Sequence, residues 1–307
     1  MIMNGVLLVE CAIWLIISAR FNSVMTKIKQ LDDNLNIEGK RILLRVDFNV
    51  PINNGAITEN SRIEKVLPTI KFLINKKAKI IIISHLGRPK GEPDPQFSLT
   101  PVRERLQELI PEVQLMENLR FNAGETDNSP AFVEELIEGQ DFFVNDAFGA
   151  SHRAHASIVG PPKFLRSAAG RLLEQEVEVL NTLREKPKRP FVGIMGGSKV
   201  SDKLGVIEAL LEVVDELIVG GGMCFTFLAA QGKPVGSSLL EENMIDKCRE
   251  LLATHDSIKL PLDITALSSD GVIGDPLSGG EVRQMGTSIP DGWMGLDIGP
   301  GLSLIHI

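Results

Sequence analysis

Lysines at the start of a helix are electrostatically misplaced unless an anion joins them. The stretch Phe191 to Lys203, FVGIMGGSKVSDK, puts two there. Phe191, Val192, Ile194 and Met195 read as a buried strand, and Gly196 and Gly197 permit a sharp turn. Leu204, Ile207, Leu211 and Val214 then recur at helical spacing, with Ser198 or Ser201 as the expected N-cap. Lys199 and Lys203 so placed suit a phosphate, although a plain strand-turn-helix corner with solvated lysines accounts for the same residues equally well. The grammar repeats further on. A strand Glu216 to Val219 leads into Gly220-Gly221-Gly222 and a helix through Gln231, so two glycine turns on one sheet edge could approach a nucleotide closely.

A second group of chemistry-bearing residues lies earlier. Arg45-Val46-Asp47-Phe48-Asn49, Ser84-His85-Leu86-Gly87-Arg88, Asn118-Leu119-Arg120 and Asn145-Asp146-Ala147-Phe148-Gly149 each follow an expected strand, Arg62 opens a helix, and Arg153 follows the last motif. Taken singly, an arginine at a strand end is more often a surface ion pair than a ligand. Convergence is the stronger signal: Arg62, His85, Arg88, Arg120 and Arg153 on one edge would repel one another unless they shared an anion with several oxygens.

The elements that must position these residues alternate. Apolar runs at Ile42 to Val50, Ile80 to Ile83, Val113 to Met116 and Asp141 to Asn145 read as strands, with helices at Ile63 to Ile74, Pro101 to Leu109 and Pro130 to Ile137. Such alternation implies a parallel sheet covered on both faces, with ligands beyond the carboxyl ends of its strands. Gly170 to Arg184 reads as a long charged helix ending at the boundary-like Lys186-Pro187-Lys188-Arg189-Pro190. Beyond Gln231 a helix Glu241 to Thr254 and a strand Ile258 to Leu262 are expected, then loops up to Gly295. The fold class is therefore α/β, two doubly wound parallel-sheet domains joined by a hinge helix at about 170–184, the second incomplete. The expected boundaries are 25–186 and 187–307.

Composition narrows the partners. A length of 307 residues allows about two domains, and a formal net charge of -8 argues against binding a long polyanion while leaving room for a small one. Cys11, Cys224 and Cys248 form no paired motif, which suits a reducing cytosol. His152 and His155 make an HxxH lacking further ligands at a familiar spacing, so no metal site is read there. There is no Walker A loop, no GxGxxG opening a helix and no GxSxG elbow. One arginine-rich edge and one lysine-glycine edge point to phosphoryl transfer between two bound anions.

These motifs resemble those of phosphoglycerate kinases. RVDFNVP (Arg45 to Pro51), SHLGRP (Ser84 to Pro89), ENLRF (Glu117 to Phe121), NDAFGASHRAHAS (Asn145 to Ser157), GGSKVSDK (Gly196 to Lys203) and GLDIGP (Gly295 to Pro300) stand in the family's order, from about Met25 to Pro300. The resemblance implies a bacterial-type glycolytic enzyme that reversibly moves a phosphoryl group between 1,3-bisphosphoglycerate and ADP, a carboxyl group being the acceptor in reverse. It implies Mg2+ carried with ATP or ADP, and a cytoplasmic monomer acting on small molecules, with no nucleic acid or membrane partner. It assigns Asp47, Asn49, Arg62, His85, Arg88, Arg120 and Arg153 to 3-phosphoglycerate, and Lys203, Gly197, Gly220 and Gly221 to the nucleotide. Arg62 and Lys199 become the catalytic pair, one holding the substrate's reacting end and the other neutralising the phosphoryl group in flight, with hinge closure joining the two sites.

Both ends depart from the pattern. Val6 to Ile17 is almost wholly apolar yet short for a bilayer span and without signal-peptide flanks, so residues 1–24 read as an extension outside the fold, with membrane anchoring as the weaker alternative. After Pro300 the family's later nucleotide motifs do not follow, and Leu302 to Ile307 reads as a helix-free tail of a truncated chain. A module that binds 3-phosphoglycerate without catalysis is the alternative to the enzyme.

Overall fold

The computed structural model describes residues 29–32, 34–273 and 279–303. The expected extension 1–24 and the last residues of the tail, 304–307, lie outside them. The chain divides into two compact units, the break falling between Thr182 and Leu183.

In the first unit the elements run β1 (Arg41–Val46), β2 (Ile52–Asn53), β3 (Ala56–Ile57), α1 (Ser61–Asn75), β4 (Lys79–Ile83), α2 (Thr100–Leu109), β5 (Gln114–Leu115), α3 (Ala123–Thr126), α4 (Pro130–Ile137), β6 (Phe142–Asp146), α5 (Ala156–Val159) and β7 (Arg166–Ala169). Helix α6 (Arg171–Glu185) follows and carries the chain across the break between units. Five of the strands form one parallel sheet in the order β5-β4-β1-β6-β7, and β2 and β3 pair separately as an antiparallel hairpin. Chain order runs outward from β1 in both directions, which opens a crevice beyond the strands' carboxyl ends.

Strand alternation sorts the core. Ile42, Leu44 and Val46 pack with α1 and α2 residues such as Ile63, Ile70 and Leu106, while Leu43 packs with Phe132, Val133 and Ala156 on the other face. Leu44 and Val144 are wholly buried, each contributing about 1.5–3 kcal/mol. By the same period Arg45 shares the face of Leu43, a polar residue inside a buried run. The expected strand Ile42 to Val50 stops at Val46, because Asp47 takes the Asn49 N–H on Oδ1 and Val50 donates locally to Phe48, so the backbone turns out of the ladder. Strand β7, unpredicted, has no apolar run of its own and is held by pairing with β6.

The second unit contains β8 (Val192–Met195), α7 (Leu204–Leu211), β9 (Glu216–Val219), α8 (Cys224–Ala230), α9 (Ile245–Thr254), β10 (Ile258–Lys259), β11 (Asp263–Ser268), β12 (Val282–Gly286), β13 (Trp293–Ile298) and α10 (Pro300–Ser303). Strands β10-β9-β8 form a parallel sheet as expected, but the segment read as loops forms an antiparallel sheet, β12-β11-β13. Strand β12, VRQMG, is mostly exposed and carries no apolar run to announce itself, while Ile264, Ala266 and Leu267 of β11 are buried by the pairing. Pro300–Ser303 makes one helical turn where a helix-free tail was expected, with Asp263 accepting the Gly301 N–H.

The expected serine N-cap of α7 is also corrected. A short 3-10 turn, Ser201–Lys203, precedes the helix and no side chain of its own caps either element. Glu241 does this from a distant part of the chain: its carboxylate accepts the Val200 and Ser201 N–H groups, at 2.5 and 3.1 Å, and the Ser201 hydroxyl at 2.5 Å.

Candidate functional site

The loops at the carboxyl ends of β1, β4 and β6, the 3-10 turn Leu119–Phe121 and the start of α1 enclose a cleft of about 220 Å³. Asp47, Asn49, Arg62, His85, Arg88, Arg120 and Arg153 all stand on its wall, with Gly87, Gly149, Ala150 and His152 between them. A wider hollow of about 590 Å³ lies at the opposite edge of the sheet, around Arg41, Lys77 and Lys79. Among the described residues no buried polar side chain faces it, Lys77 is paired with exposed Glu38, and ligands of such sheets bind at the carboxyl edge.

Each loop is held by side chain to backbone bonds rather than by regular structure. Ser84 Oγ accepts the Phe48 N–H at 2.9 Å and Asn49 Oδ1 accepts the Gly87 N–H at 2.8 Å, joining the first two loops. Gly87 sits at φ +58 with the Phe97 ring where a Cβ would be, so only glycine allows this approach. Buried Asn118 donates to the Leu86 and Phe97 carbonyls and accepts from the Leu86 and Arg120 N–H groups. Asn145 bonds Ser151 and the Ala147 N–H, shaping the loop that delivers Arg153. Arg153 Nε donates to His152 Nε2 at 3.1 Å, and His155 lies 3.7 Å from Glu125, so the two histidines of the HxxH serve different surroundings.

Charge at the cleft is unbalanced. Arg62 Nη1 donates to Asp47 Oδ2 at 2.7 Å, an ion pair at the rim. Arg120 Nη1 bonds the Gly87 carbonyl at 2.6 Å, while its buried Nε has no partner among the described residues. Burial first, then Arg153 and Arg45, push the Arg120 guanidinium down to about 10, still charged at neutral pH. His85 is pushed down to about 2 by burial, with Arg45 and Arg120 adding to it, so its imidazole is neutral. Neutral and charged donors grouped with one orphaned N–H suit a multi-oxygen anion.

Beneath the cleft lies a network that motif reading did not assign. Arg45, Glu125 and Ser157 are wholly buried. Arg45 Nε donates to Ser157 Oγ at 2.8 Å and Ser157 Oγ to Glu125 Oε1 at 2.7 Å; Arg45 also bonds the Val46 carbonyl. Burial lowers the Arg45 guanidinium's pKa, opposed by Glu125 and Asp47. Burial also pushes the Glu125 carboxyl up, but His155, Arg45 and Ser157 outweigh it and leave it below the usual carboxylate range. An arginine within an otherwise apolar strand was the available signal for Arg45; nothing local marked Glu125.

In the second unit, Gly197 and Gly220 to Gly222 stand at the carboxyl ends of neighbouring strands β8 and β9. Gly221 has φ +66, and a Cβ there would fall 2.8 Å from the Gly197 nitrogen, so the required glycine lies in the second turn. Gly196, expected to need its freedom, has open space around it. Gly221 N–H donates to Asp297 Oδ1 at 3.1 Å. Lys199 is exposed and Lys203 half-buried near Gly197. Among the described residues no group of three His, Cys, Asp or Glu side chains could hold a metal ion, and no helix is long and apolar enough to cross a membrane.

Two α/β units in succession, each with a parallel sheet, one with a cationic cleft and one with two lysines after a glycine turn, fit an α/β phosphotransferase. The chain belongs to the phosphoglycerate kinase family, whose sequence profile, described as phosphoglycerate kinase, matches residues 32–115 and 110–303. It is 48% identical over 293 residues to the phosphoglycerate kinase of Rubrobacter xylanophilus, covering 87% of this chain and 73% of that protein. It is 49% identical over 306 residues to that of Salinispora arenicola, covering 89% and 75%. The solved phosphoglycerate kinase of Coxiella burnetii superposes with a TM-score of 0.74 at 36% identity, over 90% of this chain and 76% of that one. That of Pyrococcus horikoshii does so with a TM-score of 0.67 at 27% identity, over 89% and 75%.

Proposed function

We propose that the cleft of the first unit is the 3-phosphoglycerate site of a glycolytic phosphoglycerate kinase, reversibly transferring a phosphoryl group from 1,3-bisphosphoglycerate to ADP. The observation that carries this reading is the gathering of Arg62, His85, Arg88, Arg120 and Arg153 on one wall with the Arg120 Nε unpartnered. In the forward direction a terminal oxygen of the ADP β-phosphate attacks phosphorus, and the bond from phosphorus to the C1 carboxyl oxygen breaks. ATP and 3-phosphoglycerate leave; in reverse the carboxylate is the acceptor.

Arg62, kept in place by Asp47, would hold the C1 carboxyl end, and the remaining cations the 3-phosphate and hydroxyl end. Lys203 with Gly197, Gly220 and Gly221 would hold the nucleotide phosphates, and Lys199 would neutralise the moving phosphoryl group. Mg2+ would be carried by the nucleotide phosphates, which Lys203 and the glycine turns would hold, and would supply charge neutralisation there. Helix α6 is the proposed hinge. The enzyme would act as a cytosolic monomer on small molecules, without nucleic acid or membrane partners. Calorimetric titration of 3-phosphoglycerate into the chain should show binding that Arg62→Ala weakens by about tenfold or more, the worth of a charge-assisted hydrogen bond. A folded protein that does not bind, or binds equally after the substitution, would refute the assignment.

A further inference from the structure

Arg45 has no acceptor capacity, so its Nη2, 3.2 Å from His85 Nδ1, must be the donor in that contact. A neutral imidazole that accepts on Nδ1 carries its proton on Nε2, and the ring lines the cleft. The ring therefore has one tautomer and one donor for an anion, as long as Arg45 stays where it is. What keeps it there comes from two other segments: Ser157 Oγ, at the start of α5, accepts a hydrogen bond from Arg45 Nε–H, and the Glu125 carboxylate, in the single turn of α3, accepts from the Ser157 hydroxyl and the Ser157 N–H, at 2.7 and 3.0 Å. Glu125 Oε1 lies 3.9 Å from Arg45 Nη2 and is the carboxylate buried with it.

We infer that Glu125 is a positioning residue of the anion cleft: acting through Ser157 and Arg45, it holds His85 as the Nε2–H tautomer and so presents a donor, rather than an acceptor, to the bound anion. The alternative role, a bulk counter-charge, makes the opposite prediction. If Glu125 merely diluted the positive field, removing its charge would tighten anion binding. If it positions Arg45, a neutral amide in its place turns N–H groups toward the guanidinium, Arg45 releases His85, and binding weakens.

Glu125→Gln keeps size and an acceptor for the Ser157 N–H while removing the charge. In the full chain labelled with 15N-histidine, with His85 assigned from His85→Gln, the ligand-free wild type should show a pyridine-like Nδ1 and a pyrrole-like Nε2. In Glu125→Gln the His85 signals should move toward a mixture of tautomers, and 3-phosphoglycerate affinity should fall by about tenfold, one hydrogen bond to a charged group. Glu125→Asp, which restores a carboxylate, should recover part of the loss. Ser157→Ala breaks the same relay one bond later, should shift the His85 signals in the same direction, and decides the matter if Glu125→Gln does not fold. Unchanged His85 nitrogen shifts in the folded variants, or tighter binding in Glu125→Gln, would overturn the inference. The affinity arm rests on the 3-phosphoglycerate reading of the cleft. The tautomer arm needs no ligand, so failure of that reading and failure of this one are told apart.

Discussion

Acidification should destabilise the first unit through His85. In the folded chain its imidazole is held down to about 2 by burial and by the neighbouring Arg45 and Arg120, while in the unfolded chain it titrates near its ordinary 6.5. The unfolded state therefore takes up a proton that the folded state refuses, and stability is lost as pH falls below 6.5, the loss continuing down to the folded value. Between pH 7 and pH 5 the linkage relation gives a loss of about 2 kcal/mol from this group alone, since each unit of difference is worth about 1.4 kcal/mol once the unfolded imidazole is protonated. Two other buried groups titrate with their own signs. Asp146 is raised by burial, so its contribution is lost as pH rises through its folded value, while Glu125 is lowered and loses its contribution only as pH falls below the ordinary carboxylate range. Native-state hydrogen exchange of the β1 amides, measured in wild type and in His85→Gln at both pH values, isolates the His85 part as a difference. The wild type should lose about 2 kcal/mol more than the variant on acidification. Equal losses would mean that folded His85 accepts a proton, and the account of a neutral imidazole wedged among guanidinium groups would be wrong.

Gly221→Ala combines a positive φ with a Cβ 2.8 Å from the Gly197 nitrogen, and should lower the stability of the second unit by about 1–3 kcal/mol; an unchanged thermal melt would contradict the close approach of the two turns. Glu241→Ala strips the cap from the turn that carries Lys203 and follows Lys199, with an expected cost of about 1–2 kcal/mol by denaturant titration. If those lysines hold the nucleotide, the same change should weaken ADP binding and leave 3-phosphoglycerate binding untouched, and calorimetry with each ligand separates the two.

The alternation of apolar strands and amphipathic helices was readable in the chain because a parallel sheet buried on both faces demands continuous apolar runs, and α1, β4, α2 and α4 fall close to where periodicity puts them. So was the group of residues on the cleft: Asp47, Asn49, His85, Arg88, Arg120 and Arg153 follow parallel strands, whose shared direction brings the loops after them to one edge, and Arg62 joins them from the start of α1. Other features had no local signature. The antiparallel strands β11 to β13 are held by pairing across the chain, and β12 between them in sequence is mostly exposed, with no apolar run of its own. The start of α7 is satisfied by Glu241, some forty residues away, so the nearby serines that local rules favour stand aside. Arg45 was visible as a charge inside an apolar strand, but the partners that make its burial tolerable, Glu125 and Ser157, come from segments over seventy residues on. The sequence by itself determined which residues lie at strand ends, through spacing and hydrophobic period. Only the tertiary structure decided which charges are buried together, because that depends on what the other segments bring to the same place.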